Sequence, residues 1–132
     1  MQDQPHYAVV LLDVYDALAA RIARAEAAGI PRARILVDPG IGFGKTLDHN
    51  LAILNRISLF HSLGCAILLG VSRKRFIGEV AAEPTPRERM PGTLGVTLAS
   101  VGQGVQMHRV HDVAATVQGL AVWRAVTERT GR

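Results

Sequence analysis

The sequence predicts an α/β fold made of three parallel strand–helix units preceded by one helix. Three observations predict it. Short runs rich in Ile, Leu and Val at 34–38, 66–70 and 105–110 alternate with stretches of helical period. Runs this apolar suit parallel strands with both faces covered. Each run also ends in polar or permissive residues, which parallel strand–helix units gather on one edge of the sheet.

The first helix is expected over 8–28, where Leu11, Val14, Leu18, Ile22 and Ala25 recur at three- and four-residue intervals and Gly29 and Pro31 end it. The stretch "RILVD", 34–38, is too brief and too branched for another helix and reads as a buried strand. From Asp48, the expected cap, Leu51, Leu54 and Ile57 trace a second helical stripe, stopped by Gly64. "AILLG", 66–70, is the second strand. A short helix over "RKRFIGEV", 73–80, and a polar surface excursion, "AAEPTPRER", lead to a helix from about Thr93 to Gln103. Glycines at 92, 95, 102 and 104 weaken that helix unless close packing requires them. "VQMHRV" is the third strand, and Asp112 is placed to cap a last helix whose Val113, Val117, Leu120 and Trp123 share one side.

Composition removes several classes of function. The chain has 132 residues, 48% hydrophobic and 20% charged, which is globular composition, and no stretch approaches the roughly 18 uncharged apolar residues of a membrane span. The opening "MQDQPHY" has no basic flank or apolar core, so no signal peptide is visible. Cys65 is the single cysteine, which excludes an internal disulfide; a cytoplasmic home fits. The net charge of +4 is modest, and the cluster "SRKR", 72–75, lacks interleaved stacking aromatics apart from Phe76, so nucleic acid is not an expected partner. The five histidines have no metal-ligating spacing, and no serine occupies a nucleophile elbow.

The loop "DPGIGFGKTLDHN", 38–50, resembles a phosphate-binding loop only superficially. Counting back from Gly44-Lys45-Thr46, the required first glycine falls on Pro39, and the dinucleotide pattern fails because Gly44 comes one residue early. Its glycines instead offer a tight turn that can lay backbone and Phe43 against a flat ligand. Asp38, at the end of an apolar strand, must be solvated or paired: it is either a turn acid bonded to loop N–H groups or an acceptor for the paired N–H donors of an amidine-like heterocycle. Arg73 and Lys74 are either a surface pair or donors, with Ser72, to a ring carbonyl and an anion. Arg109 and His111, two apart, would point together toward a phosphate-bearing ligand, with His108 pointing away; the helix N-terminus that follows favours an anion there.

The blocks "ILVDPGIGFGKTLDHN", "LLGVSRKRFIGE", "ERMPGTLG" and "RVHDV", in this order and at these spacings, resemble the C-terminal half of dihydropteroate synthase, the folate-pathway enzyme, across almost the entire chain. The resemblance implies a partial TIM barrel, comprising the family's strands 6 to 8 after one helix, with the N-terminal half absent. The family condenses a dihydropterin methyl diphosphate with para-aminobenzoate and releases diphosphate with magnesium's help. The resemblance casts Asp38 as the group holding the pterin's amino and ring N–H edge, with Lys74 bonding the pterin ring. Phe43 and Ser72 line the aminobenzoate site, and Gly70 lets the ligand approach the backbone. Arg109 and His111 bind diphosphate, and Arg73 lines the same mouth, where sulfonamides compete with aminobenzoate. The magnesium ligand is expected outside this chain. The complete protein is expected to be a cytoplasmic homodimer, and the isolated chain to have little or no synthase activity. His108 stands where the family usually has an aliphatic residue. Two other functions are expected to compete: a noncatalytic, self-associating barrel fragment, and a pterin-binding domain of a corrinoid-dependent methyltransferase, which would have no use for a diphosphate-binding Arg and His.

Overall fold

The structure, a computed structural model, describes residues 4–128. Helix α1 runs Gln4–Ala27. The alternation then proceeds as β1 Leu36–Val37, α2 Leu47–Asn55, β2 Ala66–Leu69, α3 Arg75–Ala81, α4 Met90–Gly102, β3 Met107–His108 and α5 Val113–Thr127. Short 3-10 turns at Arg32–Arg34, Ile57–Leu63 and Pro86–Arg89 complete it. The strands are parallel, in the order β1-β2-β3, with Leu36 opposite Ala66, Val37 opposite Ile67, Leu68 opposite Met107 and Leu69 opposite His108. The predicted fold class is therefore observed.

Side chains alternate across a strand, so this register sorts the sheet into two faces. Val37, Ile67 and Leu69 point into the core, where they meet Ile53, Ile57 and Phe60, all buried. Leu36, Ala66, Leu68 and Met107 lie on the other face, and Leu36 and Met107 are 46% and 47% exposed. The expectation of cover on both faces is thus met on one only: among the described residues the helices supply one face. They form a row in which α1 packs on α2, α2 on α3, α3 on α4 and α4 on α5.

The stripe predicted for α1 is the one that buries: Leu11, Leu18 and Ile22 join the core, with Val14 packed against it. Tyr15 stacks on Phe60 and bonds Ser62 at 2.8 Å, fastening α1 to the turn before β2.

Several local expectations are corrected. The strands are shorter than the apolar runs, and Arg32–Arg34 forms a turn because Arg32 binds Glu26 at 2.9 Å and the Leu63 carbonyl at 3.0 Å. Helix α2 is capped by Thr46, whose hydroxyl accepts from the His49 N–H at 3.1 Å; Asp48 lies in its first turn. Helix α4 begins at Met90, with Pro91 in its first turn, where a missing N–H costs nothing. In α5 the buried residue is Thr116, while Val113 and Val117 are each 59% exposed. Asp112 stands at the cap position of α5 but makes no side-chain cap bond.

Candidate functional site

The first element of the site is the turn after β1. The Asp38 carboxylate accepts the Gly40 N–H at 2.8 Å through Oδ1, the turn-acid role, while Oδ2 faces the cleft. Gly40, Gly42 and Gly44 have φ of +74°, +90° and +64°, a region that residues with a Cβ rarely adopt, so the loop doubles back on itself every second residue. Two residues passed over in the sequence hold it. Asn50, on the buried side of α2, accepts the Gly42 N–H at 2.9 Å. The Lys45 ammonium folds back to donate to the Gly40 and Phe43 carbonyls at 2.7 and 3.2 Å. A polar residue three positions before the apolar Ile53 was the available signal for Asn50. A lysine bonding its own loop carbonyls is also unlike a phosphate loop, where backbone N–H groups line the ligand.

The turn after β2 brings in Lys74. Its ammonium donates to the Ile41 carbonyl at 2.6 Å and sits 4.5 Å from the centre of the Phe43 ring, a cation–π contact that positions an otherwise exposed aromatic. Burial lowers the Lys74 pKa; Asp38 opposes this, and Arg109 and Lys45 add to it as neighbouring cations. Burial likewise lowers Lys45, with Asp38 again opposing. The turn after β3 carries Arg109 and His111. Arg109 Nη2 lies over Gly70, 3.8 Å from Asp38 Oδ2. A Cβ on Gly70 would come within 2.5 Å of that atom, so the missing side chain is what lets the guanidinium cross the strand end.

Ser72 joins the second and third turns. Its hydroxyl accepts the His111 backbone N–H at 3.1 Å and stands 2.7 Å from His111 Nδ1. The short contact fixes the imidazole against the Ser72 side chain, and whichever nitrogen carries the proton, the ring is held at the mouth of the turn. Three open depressions meet around these side chains. One of about 240 Å³ is lined by Gly70, Ser72, Lys74, Arg109 and His111. One of about 580 Å³ lies between Phe43, Lys45 and Lys74, and one of about 410 Å³ is bordered by Asp38, Phe43 and Lys45.

Seven of the eight predicted residues, Asp38, Phe43, Gly70, Ser72, Lys74, Arg109 and His111, therefore converge at the C-terminal ends of the strands. Arg73 does not line the mouth and is corrected. It has φ +60°, a left-handed conformation that costs a residue with a Cβ roughly 1–2 kcal/mol. Its guanidinium turns to Asp112, at 3.0 and 3.4 Å. Its N–H donates to Thr93 Oγ1 at 3.0 Å, and its carbonyl accepts from Arg89 at 2.9 Å. Arg89 also bonds the Glu83 and Pro84 carbonyls, so the polar excursion is fastened down beside the site.

Among the described residues no group of three or more His, Cys, Asp or Glu could hold a metal ion. Asp38 is engaged by Gly40 and faced by Arg109, with Lys45 and Lys74 acting on it as cations, a setting that repels a divalent ion. The residues present do not fit magnesium. No helix among the described residues is long and apolar enough to cross a membrane.

Comparison with known proteins places these features in a family. The family described as pterin binding enzyme matches residues 1–111. A dihydropteroate synthase from Neisseria meningitidis serogroup B is 46% identical over 129 residues, covering 96% of this chain and 45% of that protein. The dihydropteroate synthase from Thermus thermophilus in complex with 4-aminobenzoate superposes with a TM-score of 0.85 at 44% identity, covering 89% of this chain and 47% of that one. The Xanthomonas albilineans enzyme in complex with 7,8-dihydropteroate gives 0.88 at 43% identity, covering 96% and 48%. The chain thus spans just under half the length of the relatives it matches.

Proposed function

The chain belongs to the family of pterin binding enzymes, and from that premise we propose that its cleft serves the dihydropteroate synthase reaction. In that reaction para-aminobenzoate displaces diphosphate from a dihydropterin methyl diphosphate. One observation carries the reading: a carboxylate, Asp38, is faced by Arg109 and acted on by Lys74, while His111 stands on Ser72 beside Arg109, all delivered by successive turns at one end of the sheet.

The chemistry asks for this division. As the carbon–oxygen bond to diphosphate breaks, the pterin methylene gains positive character and the departing oxygens gain negative charge. Asp38 Oδ2 stabilises the pterin's N–H edge, and the Arg109 guanidinium with His111 receives the anion. Lys74 donates to the pterin ring, while Phe43 and Ser72 border the aminobenzoate. The aromatic amine attacks the carbon directly and then loses its proton to solvent, so no protein nucleophile and no strong base are required. Sulfonamides, which mimic aminobenzoate, would compete at Phe43 and Ser72. The protein would act in the cytoplasm as a homodimer, for which the exposed Val113 and Val117, one turn apart on α5, supply an apolar patch. The Arg109–His111 pair favours this reading over a corrinoid-dependent methyltransferase.

Calorimetry of this chain with a hydroxymethylpterin and, separately, with inorganic diphosphate tests the reading. Both should bind, the first weakened by Asp38→Asn and the second by Arg109→Ala. Failure of both ligands to bind, or equal effects of both substitutions on both ligands, would overturn it.

A further inference from the structure

We infer that Arg73 and Asp112 are positioning residues: their ion pair sets the distance between Ser72 and His111, and with it the diphosphate-binding geometry. The inference rests on the function proposed above and concerns two residues that touch neither substrate.

The backbone at Arg73 is unusual for the residue it carries. A left-handed residue reverses the chain locally, which lets Ser72 and Lys74 both face the cleft while Arg73 between them faces away. Glycine is the ordinary choice for such a position, and asparagine or aspartate the next. Arginine is retained here despite its Cβ, and its polar groups are engaged on three sides: guanidinium to Asp112, N–H to Thr93, carbonyl to Arg89. Asp112 immediately follows His111 and precedes α5, yet it spends its carboxylate on Arg73 rather than on the helix N–H groups.

The pair therefore ties the residue after Ser72 to the residue after His111. Those same two neighbours share the 2.7 Å bond from Ser72 Oγ to His111 Nδ1. The two links lie side by side, and each supports the other. The inner one holds the imidazole at the cleft; the outer one, half-buried, prevents the two turns from separating. A guanidinium–carboxylate pair with two donors is directional, so it fixes an angle as well as a distance.

Two substitutions separate positioning from mere stability. Arg73→Gly removes the guanidinium but relieves the backbone, and Asp112→Asn keeps shape and helix-capping capacity while removing the charge. Inorganic diphosphate binding should be measured by calorimetry for the unaltered chain, both single variants and the double variant, alongside thermal melting. Each single variant should bind about tenfold more weakly. The double variant should be no weaker than either, because both changes cut one link. Arg73→Gly should melt close to the unaltered chain, and Arg73→Lys should recover part of the lost affinity. Undiminished binding by Arg73→Gly or Asp112→Asn, or losses that multiply in the double variant, would overturn the inference alone. No diphosphate binding by the unaltered chain would overturn the proposed function and this inference with it.

Discussion

Arg109 stands 3.8 Å from Asp38, so the group that would receive diphosphate leans on the group that would receive the pterin. Both are partly exposed, and the contact is weak enough for a ligand to replace. A pterin edge must displace Arg109 from Asp38, and the guanidinium is then free for the anion. Arg109→Ala should therefore leave the affinity for a hydroxymethylpterin unchanged or raise it, while Asp38→Asn should lower it by about 2 kcal/mol, roughly thirtyfold. Isothermal titration of the two variants with the pterin alone checks this; a loss on Arg109→Ala would count against the exchange.

Gly70 and Gly92 should respond differently to alanine. A methyl on Gly70 meets the free end of a long, exposed side chain, so Arg109 moves and the fold stays. A methyl on Gly92 meets Ile77, which is buried between α3 and α4 and has no room to turn. Gly92→Ala should cost roughly 1–3 kcal/mol in urea unfolding. Gly70→Ala should leave stability nearly unchanged and weaken pterin binding.

His108 is a liability in the core-facing row of the sheet. Both ring nitrogens are buried without a hydrogen-bond partner among the described residues. Burial lowers its pKa below the usual value of 6.5; the Val105 backbone opposes this in part. As pH falls below about 6.5, the unfolded chain takes a proton that the folded chain refuses, so stability declines until the folded value is passed. His108→Val should stabilise the fold by about 1 kcal/mol near neutrality, and its advantage should widen at pH 5.5. Urea melts at pH 7.5 and 5.5 give the comparison; an advantage that shrinks toward acid would show that the ring is not held neutral.

Lys45 closes the glycine loop from inside. Lys45→Met removes two charge-assisted bonds to carbonyls and should cost about 1–2 kcal/mol. Amide exchange at 42–44 should accelerate beyond that of α2. Lys45→Arg should fail to restore protection, since the planar fork does not fit where a Cβ on Gly40 would already come within 3.3 Å of the ammonium. Equal acceleration in α2 would indicate general loosening instead.

Much of this was legible in the residues. The period of Leu11, Leu18 and Ile22 found the buried side of α1, and the polar residues after each apolar run are the ones the sheet gathers at one end, because both depend on local spacing. What was not legible depends on distant partners. Arg73 reads as a surface cation or a residue of the mouth until Thr93, Arg89 and Asp112, far along the chain, are seen to hold it. Val113 and Val117 share a helical side with Leu120, yet α5 packs chiefly on α4 and buries Thr116 instead. Apolar spacing names a candidate side, and the neighbour decides which side is used.

The register of the sheet has a consequence for how the molecule comes together. Each strand contact pairs residues about thirty or about forty positions apart, as with Leu36 and Ala66 or Leu68 and Met107. Pairings so distant close only after the intervening helices have compacted the chain. Asp38, Lys74 and Arg109 each hang from a different strand end, so the cleft is complete only when both strand pairings have closed. Ligand affinity then emerges late and abruptly during refolding, and a fluorescent pterin added to refolding chain would report the last step of assembly rather than the first.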